Sequence, residues 1–278
     1  MVPIESNGWA DDRWEIAQPS RMRMPTGVSI AGFRDRRVVG HTDIPVLPRP
    51  AVTIVLGFGE RDVAVHDTDG REHRGGVVGG LAPSGARIRG AGIGCVELRL
   101  SPAVARAALG VPVRELAGVS SAGDVLGPRT VDDVRERMSD ARSWDERFRM
   151  ALHLVARRID QDHHRTDDEV TWVWNRISAH RGRVRIESLA DEIGWSRKRL
   201  WSRFHDQIGL SPKYAARLIR FDHAAAQLIT GQAPALVAAA CGYSDQSHLH
   251  RDVRWFAGTT PTTLATRSDW AVDLLAHP

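Results

Sequence analysis

Between residues 189 and 256 the chain writes one short pattern twice. The first copy is Leu189-Ala190-Asp191-Glu192-Ile193-Gly194-Trp195-Ser196-Arg197-Lys198-Arg199-Leu200-Trp201-Ser202-Arg203-Phe204, and the second runs from Val237 to Val253. Gly194 answers to Gly242 and Trp195 to Tyr243. One extra residue then enters the second turn, so that Ser196, Leu200 and Phe204 answer to Asp245, Leu249 and Val253. Each copy reads as two helices joined by a tight turn: the glycine supplies the turn, and Ser196 and Asp245 are good N-caps for the second helix of each pair. The C-terminal part is therefore expected to be all-helical, with two helix-turn-helix units.

Stepping about 100° per residue separates the two faces of each second helix. Leu200 and Phe204 point inward, which turns Lys198, Ser202 and His205 outward, with Arg199 and Trp201 on the flanks and Arg197 in the first turn. In the second copy Leu249 and Val253 point inward. Ser247, Arg251 and Arg254 then point outward, flanked by His248 and His250, with Gln246 in the first turn. A helix that enters a major groove needs this division, one apolar face for docking and one face of donors and acceptors. Charge agrees with the pattern. Residues 172–267 hold 14 Lys+Arg against 7 Asp+Glu, although the whole chain carries only a formal +4. Basicity confined to one end is the electrostatic footprint of a polyanion-binding module.

Between the copies, Ser211-Pro212 opens a helix that is apolar at Tyr214, Leu218, Phe221, Ala225 and Leu228 and closes near Gly231. Roughly 18 residues at about 1.5 Å each give a rod of about 27 Å. Major grooves on one face of DNA recur about every 34 Å, so such a rod can hold two recognition helices in adjacent grooves.

The stretches 190–196, Gly209-Leu210-Ser211-Pro212, 240–252 and Phe256-Ala257-Gly258-Thr259-Thr260-Pro261 closely resemble, in order and spacing, the DNA-binding domain of AraC-type transcription regulators. The resemblance covers about 100 C-terminal residues. It implies base contacts from Lys198, Trp201 and Ser202 in the first recognition helix and from Gln246, Ser247, His248 and Arg251 in the second. Two positions depart from the family pattern. Trp201 stands where a longer polar side chain is usual, and its indole has two readings, stacking on a thymine methyl or sugar edge and packing between helices. Val253 stands where an aromatic is usual. The resemblance further implies promoter DNA as partner, with RNA polymerase, a small-molecule effector and a second copy of the chain as further candidates.

The N-terminal half has a different texture. Short apolar runs at 28–33, 51–58, 62–65, 77–81 and 93–100, punctuated by glycine, read as strands. Asp69-Gly70 marks a hairpin, and Val96, Leu98 and Leu100 alternate with Cys95, Glu97 and Arg99 as a strand with two different faces does. Ser101-Pro102 opens a short helix to about Leu109. After a loop around 123–128, a second helix is expected over 144–159 with an apolar stripe at Phe148, Leu152, Val155 and Ile159. The polar run 160–168, with His163-His164 as solvated linker, is the expected boundary. This gives an α+β multidomain chain: an arm (1–25), a β-rich regulatory part with flanking helices (26–162), a DNA-binding part with two helix-turn-helix units and a linker helix (163–270), and a tail (271–278). By the resemblance the β-rich part is cupin-like and binds an effector or dimerises.

Enzyme chemistry is not expected. No His-x-His followed by a distant Glu and His is present, His41, His66 and His73 read as isolated surface residues, and neither a Gly-x-Ser-x-Gly turn nor a phosphate loop occurs. Neither a metal nor a cofactor is expected. Cys95 and Cys241 follow no ligand or disulfide spacing and read as small packed residues, too few for the zinc domain that AraC-like methyl-transfer repair proteins need. With no apolar run near 18 residues and no leader pattern, a cytoplasmic protein is expected. Three functions are weighed: a ligand-responsive regulator, a DNA-binding regulator controlled by dimerisation or a protein partner, and an enzyme with a DNA-binding tail.

Overall fold

The computed structural model describes residues 13–20, 22–36, 42–59, 63–81, 85–116, 118–160 and 166–266. Strands β1 (Trp14–Ala17), β2 (Val28–Asp35), β3 (Thr42–Pro45), β4 (Val52–Gly57), β5 (Ala64–His66), β6 (Glu72–Arg74), β7 (Gly76–Gly79), β8 (Arg87–Gly90), β9 (Gly94–Leu100) and β10 (Val119–Ser121) make two antiparallel sheets. Their orders are β1-β2-β9-β4-β7-β10 and β3-β8-β5-β6. Central β9 pairs on one side with β2 (Leu98 opposite Ile30) and on the other with β4 (Leu98 opposite Ile54).

Alternation along β9 works as the pleat requires, with both faces covered. Val96, Leu98 and Leu100, with Ile54 and Leu56 of β4, are fully buried in a core shared with helices α1 (Pro102–Leu109) and α4 (Trp144–Asp160), which cover β9. Each such side chain contributes about 1.5–3 kcal/mol on burial. The opposite face, with Phe33, Val55, Val77 and Cys95, packs on Val63, Val65, Ala86 and Ile93, the layer of the smaller sheet. Glu97 and Arg99 are also on this face. They are not solvated but ion-paired at 2.7 Å and only 13% and 12% exposed.

Several sequence expectations are corrected. The supposed arm contains β1, zipped to β2 and fastened by Arg13 donating to Asp35 at 2.7 Å; residues 1–12 lie outside the description. The supposed loop at 123–128 contains helix α2 (Ala122–Leu126), because Ser121 Oγ accepts the Gly123 N–H and so caps it. Helix α3 (Pro128–Asp140) comes directly after it. His66 and His73 are half-buried rather than isolated: His66 lies 3.5 Å from Glu72, and His73 Nε2 lies 3.1 Å from Asp67 within the β5–β6 hairpin. That hairpin turns at Asp69-Gly70 as expected, Gly70 having φ +78° and Asp67 accepting the N–H groups of residues 69 and 71. His41, His163 and His164 lie outside the described residues. Both cysteines are buried and unbridged, and burial pushes both thiols up.

Helices α5 (Asp168–Ala179), α6 (Ile186–Glu192), α7 (Arg197–Ile208), α8 (Pro212–Ile229), α9 (Pro234–Ala240), α10 (Gln246–Ala257) and α11 (Pro261–Thr266) form the C-terminal part. The first unit, α6 and α7, shares one continuous core with the sheet: Leu189, Trp195, Leu200, Phe204 and Ile208 join Ala105, Leu109 and Val113. The second unit packs around a second core, built from α8, α9, α10 and α11 around Leu218, Phe221, Val237, Leu249 and Val253 and joined by Leu47 of the N-terminal half, while Ala215, Ala216 and Ile219 of the same α8 belong to the first core. Val253, the position lacking the usual aromatic, is fully buried there. Among the described residues no helix is long and apolar enough to cross a membrane.

Candidate DNA-binding surface

Both recognition helices are set by the local chemistry that the duplication announces. Gly194 and Gly242 take φ +66° and +74° at the two turns, a conformation that costs a residue with a Cβ about 1–2 kcal/mol. Ser196 Oγ accepts the Arg199 N–H at 3.2 Å and Asp245 Oδ1 the His248 N–H at 2.7 Å. Each cap satisfies one of the N–H groups that a helix start leaves unpaired. That bond from the His248 backbone is the main reason the Asp245 carboxyl sits below its ordinary range. Trp195 and Tyr243 are buried under the turns, as their matched positions require.

On α7, Arg197, Lys198, Arg199, Trp201 and Ser202 are exposed. Arg199 lies over the Trp195 ring at 4.4 Å, which holds the guanidinium along the protein surface. Trp201 is 53% exposed and stacked on His205, ring centres 5.0 Å apart. The indole is thus on the surface and not between helices. The same stacking half-buries His205 and leaves its Nδ1 without a partner, so the imidazole supports Trp201 more than it faces outward.

On α10, Gln246, Ser247, His250, Arg251 and Arg254 are exposed, and Arg251 Nε rests 3.4 Å from the Ser247 carbonyl with its guanidinium end outward. His248 is half-buried, edge-on to Tyr243 and 3.3 Å from Ser244 Oγ, which turns it partly away from the outer face. One residue of this face was missed from the sequence. Trp255 is 58% exposed beside Arg254, with Arg217 over its ring at 5.4 Å and its Nε1 donating to the Tyr214 hydroxyl at 3.5 Å. Its place one turn beyond Arg251 is the signal that could have found it. Arg217 in turn pairs with buried Asp252 at 2.7 Å, tying α8 to the back of the second recognition helix.

The first unit is stitched to the N-terminal half. Thr166 donates to the Ala103 carbonyl, Asp167 takes Arg203 at 2.6 Å and donates its N–H to Gln207, and Arg114 in the 3-10 turn Val113–Glu115 meets Asp206 at 3.3 Å. Between the sheets lies a cavity of about 150 Å³, walled by Phe33, Val55, Val65, Val77, Ile88 and Ile93, with Glu97 and Arg99 at its polar side. Among the described residues no group of three or more His, Cys, Asp or Glu is placed to hold a metal.

Residues 189–267 match the family model described as a helix-turn-helix domain. No curated protein matches the chain. Among solved structures the chain is similar to ToxT from Vibrio cholerae (11% identity over 87% of this chain and 99% of that one, TM-score 0.47). The C-terminal domain of AraT, a response regulator from Geobacillus stearothermophilus, aligns at 21% identity over 37% and 88%, TM-score 0.35. A transcriptional regulator from Chromobacterium violaceum described as containing an AraC-type DNA-binding domain aligns at 22% over 36% and 91%, TM-score 0.34. With two capped helix-turn-helix units on either side of a linker helix and a family match over the same residues, residues 189–267 form an AraC-type helix-turn-helix domain.

Proposed function

We propose that this protein regulates transcription by reading an asymmetric DNA site with two unlike helices, under the control of a small apolar molecule held between the sheets of its N-terminal half. The observation that supports the reading most is the pairing of two capped helices whose outer faces differ: Arg197, Lys198, Arg199, Trp201 and Ser202 on one, Gln246, Ser247, His250, Arg251 and Arg254 on the other. In this reading Arg251 makes the bidentate base contact, Trp201 covers a thymine methyl or sugar edge, and the flanking arginines neutralise phosphates. His205 and His248 act from behind, His205 by holding Trp201. Residues 26–162 form the regulatory part and residues 163–270 the reader.

The cavity supports control by a ligand. Its volume fits a benzene-sized group, and its lining is mostly apolar, with Thr53, Arg49 and the Glu97–Arg99 pair as the polar side chains, so it selects a compact hydrocarbon body with a polar end. A thermal-shift screen of small apolar acids, alcohols and aromatics tests this; a ligand at 100 times its Kd adds about 2.7 kcal/mol. A second reading, control by dimerisation, draws on an exposed groove of about 940 Å³ between α3 and α4. There Arg129, Arg137, Arg149, Arg157 and Arg158 stand with Asp133 and Glu146, so that each acid has arginines to meet on a second copy. Sedimentation of the wild type and of Arg137→Glu separates the two: a monomer with an intact thermal-shift response favours the ligand, a dimer lost in the variant favours the second copy.

A further inference from the structure

The loop His180-Arg181-Gly182-Arg183-Val184-Arg185 joins α5 to α6 and carries three arginines and no acid. All three are exposed, and among the described residues none of them is ion-paired with a carboxylate. Their backbone is fixed. The Arg181 N–H donates to the Ser178 carbonyl and the Gly182 N–H to the Ile177 carbonyl, both at 2.9 Å, the paired bonds that close a helix on a left-handed residue. Glycine usually takes that left-handed place, but here Arg181 does, at φ +53°, and among the described residues no other side chain with a Cβ has a positive φ. Gly182 follows at φ +72°, and a Cβ on it would fall 2.1 Å from the Ala216 carbonyl oxygen, so the loop is pressed onto α8. From there Arg181 reaches His223 Nε2 at 3.0 Å, and Arg183 donates to the Ala240 carbonyl at 3.3 Å, beside Gly242 in the second turn. Val184 packs inward on the first core, which turns its neighbours Arg183 and Arg185 outward, and the Arg185 guanidinium has no partner among the described residues. The loop thus stands between the two units, leading into α6 of one and touching the turn before α10 of the other. It also lies across α8 from the N-terminal half: Asp222, which takes Arg49, and Arg220, whose N–H abuts Gly182, are two residues apart, about 200° around a helix of 3.6 residues per turn.

We propose that Arg183 and Arg185 of this loop enter the minor groove between the two half-sites, so that the protein also selects the spacer, by the width of its groove, and prefers A·T pairs there. This rests on the reading of α7 and α10 as two recognition helices. When two helices occupy major grooves one helical turn apart on one face of DNA, the minor groove faces the protein at the midpoint, half a turn from each. An arginine loop between the two units is the element placed to meet it. A·T-rich stretches narrow that groove and deepen its negative potential, which draws in arginine, whereas each G·C pair adds a guanine amino group to the groove floor. Arg181 and Gly182 hold the base of the loop on α8, so Arg183 and Arg185 are presented without the ordering cost that a loose loop would bring.

The test uses the full-length protein on a site selected from random duplex DNA, with only the spacer then changed. Three spacers of equal length are compared: A·T pairs, G·C pairs, and inosine·cytosine pairs, which show the major-groove face of G·C without the guanine amino group in the minor groove. The wild type is expected to bind the A·T and inosine spacers alike and the G·C spacer about fivefold or more weakly, the lower end of the cost of a wrong base pair. Arg183→Ala with Arg185→Ala should weaken binding to the A·T and inosine spacers down to the G·C level, and preference at the half-site bases should stay as in the wild type. Arg185→Ala alone should lose part of the spacer preference. Because its guanidinium holds nothing within the protein, that variant separates groove contact from loosening of the second turn by loss of the Arg183 bond to Ala240. A wild type indifferent to the spacer, an inosine spacer that behaves as G·C, or variants weakened equally on all three spacers would overturn the role of the loop and leave the two-helix reading standing. A chain that selects no pair of half-sites would overturn both.

Discussion

In the proposed reading, Arg251 is the side chain on which base readout most depends. It is exposed on α10, its Nε donates a long bond to the Ser247 carbonyl at 3.4 Å, and its charge lies near Asp245. Arg251→Ala should cost about 1–3 kcal/mol on the cognate site and relax preference at one base pair, as read by titration against single-base variants. Equal weakening on every sequence would make it a phosphate contact. Arg199 differs, because it lies along Trp195 and already has a stacking partner. Trp201 and its support divide similarly: His205→Ala should loosen the indole and lower affinity less than Trp201→Ala does, checked by the same titration and by quenching of tryptophan fluorescence on DNA addition. Asp245 adds a pH dependence. Its carboxyl is held below the ordinary value of 3.8, so the cap is complete above that pH and is lost as pH falls through the lower folded value. The stability gap between wild type and Asp245→Ala, followed by thermal denaturation, should stay level at neutral pH and close only below that range.

Elements with strong local signals were legible in the sequence. The caps at Ser196 and Asp245, the glycines at 194 and 242, and the proline that opens α8 at Pro212 all lie where the pattern put them, because each rests on chemistry within a few residues. Strands β1, β3, β8 and β10 were not legible. Each is three or four residues long, too short for alternation to show, and each exists through pairing with a partner distant in sequence. The cavity was hidden for a related reason: Glu97 and Arg99 alternate with buried residues as a solvated face does, and only the second sheet reveals that they line an interior. Close approach was equally invisible. A Cβ on Gly32 would lie 2.3 Å from the Trp144 ring, which covers β2 and donates its Nε1 to Glu15 at 2.7 Å. Gly32→Ala should therefore destabilise by about 1–3 kcal/mol, the usual cost of overpacking, and Gly32→Ala with Trp144→Leu should recover part of it in chemical denaturation.

At the scale of the whole molecule, the cores do not follow the boundary that the linker composition marks. Residues 161–165 lie outside the description, but on either side the first helix-turn-helix and the sheet are one hydrophobic body. A fragment beginning at residue 166 should thus loosen the first unit most, with faster amide exchange in α6 and α7 than in the full chain and a smaller rise in α9 and α10, whose core loses Leu47 and Ile44. The same inequality shapes DNA reading. The units differ in their outer side chains, in the length of their turns and in what anchors them, so a single chain cannot present two equal half-sites. Binding-site selection from random duplex DNA, followed by footprinting of the full-length protein, tests this most directly. Two unlike half-sites centred about one helical turn apart, both protected by one chain, are expected; a palindrome within one monomer's footprint, or protection of a single groove, would contradict it.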